Sequence, residues 1–287
     1  MTTSLSSIDD WVEFLSSREI PVLRQTARAI TEAHGRTDSI HVREVTAIVL
    51  HDPLMTARVL RFSAAHRGRR QLQDISTVEH AVMMLGVEPF FAHFSQFDVI
   101  EDLLKPQPQA LLGLLQVIRR AQRAGRYAFE WATWRCDLSA EEVGIAALLH
   151  DLAEMMIWCF SPQQAMQISA RQQADPDLRS VDAQLAVLGF PLGDLQTMLC
   201  RNWQLPELLL RLMDDDHAER PRVKNVKLAV DLARHSAHGW DNPALPDDFR
   251  AIAGLMNIDD DTLRVRLGLQ NPLEGAMPPE SSPPKPA

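Results

Sequence analysis

The chain has 287 residues, of which 46% are hydrophobic and 23% charged. This composition provides apolar side chains for one large core or two small ones and excludes wholesale disorder. Lys and Arg number 29 against 38 Asp and Glu, a net charge of −9, which disfavours general binding to nucleic acids or anionic membranes. Twelve glycines and one tyrosine argue against a β-sandwich or barrel.

The cysteines and the N-terminal residues indicate the cellular compartment of the protein. Cys136, Cys159 and Cys200 are far apart and form no CxxC pair, which predicts reduced thiols in a cytosolic protein. Residues 1–7 have neither the basic nor the apolar part of a signal peptide. The longest strongly apolar stretch, about 143–149, is too short to span a bilayer. We therefore expect a cytoplasmic protein that binds neither membranes nor nucleic acids.

Apolar residues recur with helical spacing along most of the chain, and no alternating pattern competes as a strand. This spacing predicts an all-α fold of roughly a dozen short helices. The sets that carry it are Met55, Val59 and Phe62; Val78, Ala81, Val82 and Leu85; Leu111, Leu114, Leu115 and Ile118; Leu205, Leu208, Leu209 and Leu212; and Val226, Ala229, Val230 and Ala233.

Capping signals agree with this periodicity. Asp52 followed by proline predicts a helix whose first residue needs no N–H group. Ser76 with Glu79, and Ser139 with Glu142, have the spacing of capping boxes. We expect helices to begin at each of these three points.

Two proline-rich stretches divide the chain. Residues 105–109, KPQPQ, predict a linker between an N-terminal helical lobe and a second lobe. Residues 271–287 include six prolines and few bulky apolar side chains, so we expect a disordered tail. Residues 218–270 have helical spacing and form a predicted C-terminal extension.

The strongest candidate for chemistry is the pair His150 and Asp151, at the end of an almost wholly apolar helix. A neutral imidazole and a carboxylate are both good ligands for divalent metals. The structural alternative is that Asp151 caps the next turn while His150 forms a hydrogen bond in the core. On this dipeptide alone, the structural alternative is favoured.

Several short motifs, in a fixed order, resemble the HDOD family, the non-catalytic relatives of HD-type metal-dependent phosphohydrolases. The resemblance covers about residues 13–217 and implies a two-lobed all-α architecture, with an N-terminal lobe at about 13–104 and an HD-like lobe at about 110–217. The motifs are IPVL at 20–23, AIVLHDPLMTARVLR at 47–61, ISTVEHAVMMLG at 75–86, LLHDLA at 148–153 and WQLPE at 203–207.

The departures from the family pattern concern the site. Ala64 and Ala65 replace a usual Asn-Ser pair, Ala153 replaces a glycine, and Leu192 stands where a histidine is frequent. A working HD hydrolase resembles the pattern His…His-Asp…Asp, yet no histidine lies between His93 and His150.

Arginines occupy the helix on which that first histidine belongs, namely Arg119, Arg120 and Arg126. A guanidinium cannot lose its proton to bind a metal, and its charge repels a nearby cation. The remaining candidates, His150, Asp151 and a loosely aligned Asp231, are too few for a metal-activated water. We therefore interpret the second lobe as a degenerate HD site that has no metal, no cofactor and no catalytic residue.

The resemblance implies a non-enzymatic bacterial signalling or regulatory module that acts through protein partners. Two alternatives remain. One is a weak metal-dependent phosphohydrolase that uses His150 and Asp151 with replacement ligands. The other is a sensor of a phosphate-bearing ligand or nucleotide, held by Arg119, Arg120 or Arg126 in the former metal site.

Two further groups rank lower as metal ligands. His235 and His238 are three residues apart in a helical stretch, and a surface pair is the favoured interpretation. The run DDDH at 214–217 is more typical of a solvated turn.

Overall fold

The computed structural model describes residue 5 and residues 7–37, 39–66, 75–175 and 177–269. This part of the chain confirms the all-α prediction, because its regular structure is helical apart from one isolated parallel bridge between Val22 and Val99. The predicted disordered tail lies outside the described residues. The helices are α1 Ile8–Ser16, α2 Arg24–His34, α3 Val42–Leu50, α4 Pro53–Ala65, α5 Val78–Leu85, α6 Val87–His93, α7 Ile100–Leu103, α8 Pro108–Trp134, α9 Ala140–Leu149, α10 Leu152–Phe160, α11 Pro162–Ala174, α12 Ser180–Leu188, α13 Leu192–Asn202, α14 Glu207–Leu212, a 3₁₀ turn Asp215–His217, α15 Pro221–His235, α16 Leu245–Met256 and α17 Asp260–Arg266.

The predicted cap of α4 is confirmed, and it has a second role. The Oδ1 atom of Asp52 accepts hydrogen bonds from the N–H groups of Leu54 at 2.9 Å and Met55 at 3.2 Å. Its Oδ2 atom accepts from the N–H of Leu23 at 2.8 Å. Asp52 is fully buried, and burial raises the pKa of its carboxyl group. One side chain therefore starts α4 and holds the segment that precedes α2.

Neither predicted capping box forms. α5 begins one residue later than expected, and its cap is Thr77, whose hydroxyl accepts from the N–H of His80 at 3.3 Å. The Ser76 hydroxyl instead donates to the carboxylate of Glu142 at 3.2 Å, so it joins the start of α5 to α9. Ser139 does precede α9, but its side chain makes no capping bond. At Ser76, a tertiary contact thus replaces the capping bond that the local pattern predicted.

The buried apolar residues form one cluster that extends from Trp11 to Leu263. The 27-residue helix α8 packs on α9, α10 and α15, and α15 contributes Val226 and Ala229 to the same cluster. Residues 218–269 therefore contribute to the core. The division into two lobes stays a prediction.

Among the described helical segments, residues 140–160 are the one stretch long and apolar enough to cross a membrane. This stretch joins α9 and α10 and is therefore longer than the sequence pattern indicated. Within its most apolar window, 78% is buried inside the protein. Packing in the core accounts for this hydropathy.

Two glycines allow α8 and α9 to approach closely. A Cβ atom at Gly125 of α8 would lie 3.1 Å from the Cβ of Leu148 and 3.2 Å from the carbonyl oxygen of Gly144. A Cβ atom at Gly144 of α9 would lie 3.0 Å from the Cβ of Phe129. Because these distances are shorter than a normal contact, a side chain at either position would separate the two helices.

We predict that Gly144→Ala lowers the free energy of unfolding by about 1–3 kcal/mol, the usual cost of overpacking a core. The matched control is Gly254→Ala in α16, where a Cβ would meet nothing within 4 Å. The control should leave stability unchanged or raise it by up to about 1 kcal/mol, because alanine favours a helix over glycine. Chemical denaturation measures both values, and equal effects of the two changes would contradict the close approach.

Candidate functional site

His150 and Asp151 lie at the break between α9 and α10. Gln196 of α13, which is buried, supports this break. Its Oε1 atom accepts from the N–H of Ala153 at 2.7 Å, and its Nε2 atom donates to the carbonyl oxygen of Leu149 at 2.8 Å. Asp151 directly precedes α10, but its side chain does not cap the helix. The carboxylate is therefore available for contacts with other side chains.

Arg120 makes the strongest of these contacts. Its Nε and Nη2 atoms donate to Oδ2 of Asp151 at 3.0 and 2.7 Å, and Nη2 also donates to Oε2 of Glu154 at 2.7 Å. The side chains of Arg120 and Asp151 are only 17% and 10% exposed. A shielded guanidinium thus joins the carboxylates on either side of the first turn of α10.

The other oxygen of Asp151 also faces cations. Nδ1 of His150 lies 3.3 Å from Oδ1, and Nη2 of Arg234 in α15 lies 3.4 Å from it. Nε2 of His150 lies 3.4 Å from Oδ1 of Asp215 in the 3₁₀ turn. Asp151 is therefore in contact with three basic side chains from α8, α15 and its own neighbour.

The proton equilibria follow from these contacts. Burial alone would lower the pKa of His150, but hydrogen bonds to Asp151 and Asp215 outweigh it and raise that pKa from 6.5 to about 9. Burial would raise the pKa of Asp151, yet the charge of Arg120 and the contact with His150 hold it well below its usual range. His150 is thus protonated and Asp151 ionised at neutral pH.

Asp231, the third candidate ligand, lies in the same network but does not contact the His-Asp pair. Its Oδ2 atom accepts from Nζ of Lys227 at 2.8 Å, and its Oδ1 atom lies 3.9 Å from Nη1 of Arg234. Arg234 is therefore the link between Asp231 and Asp151.

The residues at this position do not fit a divalent metal. A metal ligand must present a free lone pair, whereas both ring nitrogens of His150 face carboxylates and the oxygens of Asp151 face two guanidinium groups. Within the described part of the chain, no group of three or more His, Cys, Asp or Glu side chains is arranged to hold a metal ion. The guanidinium of Arg120, with its fixed charge, repels a cation from the carboxylates it binds.

The three predicted arginines differ in their partners. Arg120 binds Asp151, whereas Arg119 and Arg126 are exposed, and all three line one surface. The reason is geometric, since successive residues of a helix point about 100° apart. Arg123, which the sequence analysis did not single out, lines that same surface and donates to the carbonyl oxygen of Ala233 at 2.7 Å.

Sequence reasoning missed several members of the network. Asp215 lies in the run DDDH at 214–217, which was considered for another reason, whereas Glu154, Gln196 and Arg234 were not singled out. Of the two lower-ranked histidines, His235 contacts the carboxylate of Asp248 through Nδ1 at 2.6 Å. His238 takes no part in that contact.

Comparison with known proteins decides the family. The model of the HDOD domain matches residues 20–219, which include both the arginine-bearing helix α8 and the His-Asp pair. The chain belongs to the HDOD family. Among curated proteins, no match to this HDOD protein is found.

Two solved structures share the fold of this HDOD protein. The MmoQ response regulator from Methylococcus capsulatus str. Bath has a TM-score of 0.67 at 18% identity, and the match covers 88% of this chain and 99% of that one. A virulence factor from Campylobacter jejuni subsp. jejuni has a TM-score of 0.63 at 20% identity, covering 94% and 96%. At these identities the likeness shows the fold alone.

We predict that Arg120→Met lowers the free energy of unfolding by about 3–5 kcal/mol, because it leaves two shielded carboxylates without their cation. Arg119→Met, one residue away and exposed, should change it by less than about 0.5 kcal/mol. Denaturation at neutral pH compares the two variants. Equal stabilities would show that the guanidinium is not needed to balance the carboxylates.

His150 should make the free energy of unfolding decrease as the pH becomes alkaline. Because its folded pKa of about 9 lies above 6.5, its contribution is complete below about pH 6.5 and is lost as the pH rises through 9. The shift corresponds to at most about 3 kcal/mol. Unfolding measured from pH 6 to 10 should show this loss in the wild type and a smaller slope in His150→Gln. Parallel profiles would contradict the protonated state of His150.

Proposed function

We propose that this HDOD protein is a non-enzymatic signalling or regulatory module that acts by binding protein partners. One observation carries the proposal, namely that the Arg120 guanidinium binds the carboxylates of Asp151 and Glu154. Hydrolysis of a phosphodiester by the HD route needs a metal-bound water. The carboxylate that would hold this metal is instead neutralised by an internal cation.

The names of the structural neighbours support a signalling role. One is a response regulator and the other a virulence factor. Surface chemistry supports contact with a partner, since Met83 and Met84 of α5 are adjacent and more than half exposed. Flexible methionine side chains suit adaptable binding surfaces.

We also propose that the protein works in the cytoplasm of a bacterium. Its cysteines support a reducing environment, because Cys136, Cys159 and Cys200 are all free thiols. Burial raises the pKa of Cys159, and it raises the pKa of Cys200 to about 12, so both thiols are protected from oxidation.

The alternative of a weak phosphohydrolase is tested by turnover. We expect the wild type, incubated with manganese and bis(p-nitrophenyl) phosphate, to match both His150→Ala and a protein-free blank, because no water is activated. Release of p-nitrophenol is the measurement. Wild-type turnover that exceeds the blank and disappears in His150→Ala would establish the hydrolase instead.

The partner proposal has its own test in the native host. A tagged chain, cross-linked in cells and analysed by quantitative mass spectrometry, should recover a partner reproducibly. The same partner should be depleted for Met83→Gln/Met84→Gln, with the tag alone as background. Recovery of no protein above that background would count against a module that works by being bound.

A further inference from the structure

A groove of about 730 Å³ opens beside the His-Asp network. It lies between the end of α3, the middle of α8 and the residues that follow α15, and we call it the arginine groove. The residues that define it are Arg119, Arg123 and Arg126 of α8, with His51 and His238 at its sides. Nη2 of Arg120 faces the network at its edge.

The three arginines form one row. They are four and three residues apart on α8, so they lie on one helical face, and the first and last are about 10 Å apart along the axis. Arg119 and Arg126 are exposed, and neither has an ion-pair partner among the described residues. Two guanidinium groups are thus available to an external anion.

Arg123 fixes the middle of the row. It donates to the carbonyl oxygens of Ala233 at 2.7 Å and Ser236 at 3.3 Å. These neutral acceptors at the end of α15 hold the guanidinium without cancelling its charge. Gln122 fixes the opposite wall, since its Nε2 atom donates to the carbonyl oxygen of His51 at 2.6 Å. The groove is therefore braced on both sides of α8.

The charge of the groove is opposite in sign to the net charge of the chain. The protein has a net charge of −9, yet no Asp or Glu is among the described residues that line the groove. Two acidic side chains of the adjacent network, Asp151 and Glu154, already bind Arg120. A concave surface lined by one sign of charge concentrates ions of the opposite sign.

We propose that the arginine groove binds a small molecule that carries two or more linked phosphate groups. Guanidinium forks match phosphate oxygens, and a row spread over two helical turns can contact more than one phosphate. The volume is that of a small-molecule pocket, which is typically about 300–1,000 Å³. The ligand is held by Arg119 and Arg126, outside the degenerate metal site. This inference does not depend on the protein-partner proposal.

The test is calorimetry with sodium tripolyphosphate at low ionic strength. The wild type is compared with Arg119→Gln/Arg126→Gln. The matched control is Arg28→Gln/Arg171→Gln, which removes the same two charges from exposed positions on α2 and α11. Circular dichroism and thermal unfolding establish that all three proteins are folded, which is expected because the four replaced side chains are exposed.

We expect one tripolyphosphate per chain, affinity at least tenfold weaker in the groove variant, and a control within twofold of the wild type. Orthophosphate should bind at least tenfold more weakly than tripolyphosphate. If both double variants bound tripolyphosphate equally weakly, the loss of affinity would come from the change in net charge alone, and the proposal would be overturned. An absence of heat with the wild type would also overturn it, as would tighter binding of a polyglutamate peptide than of tripolyphosphate.

Discussion

The ion pair between Arg120 and Asp151 is the interaction on which the rest of this site depends. Removing charged groups from water is costly, so a shielded carboxylate must be matched by a cation with good geometry. Arg120 supplies that match through two hydrogen bonds and extends it to Glu154. Arg120 lies on α8, which approaches α9 closely at Gly125 and Gly144.

The network balances its own charge. It contains four basic side chains and four carboxylates, which are Arg120, Arg234, Lys227 and protonated His150 with Asp151, Glu154, Asp215 and Asp231. A network of this kind holds α8, α10 and α15 in one arrangement. Its energetic value lies less in added stability than in the cost of removing one member.

The helical pattern and the family motifs predicted much of the fold. The sequence predicted that Asp52 caps α4, because an Asp followed by a proline is a local signal. It did not predict the bond from the N–H of Leu23 to Asp52, because that contact joins residues far apart in the sequence. The capping box predicted at Ser76 did not form for the same reason, since the Ser76 hydroxyl donates to Glu142 of α9. Sequence spacing placed Arg119, Arg120 and Arg126 on one helix, but only the packing of that helix decided that Arg120 meets Asp151. Gln196 and Arg234 had no signal, since single polar residues acquire their roles from distant partners.

The most direct measurement of the central claim is a titration of the purified protein with manganese, together with metal analysis of the protein as isolated. An internal guanidinium at Asp151 predicts far less than one equivalent of bound metal and no saturable heat. One equivalent of tightly held manganese or iron, lost in Asp151→Asn, would contradict the account, because the carboxylate would then serve a metal and not Arg120.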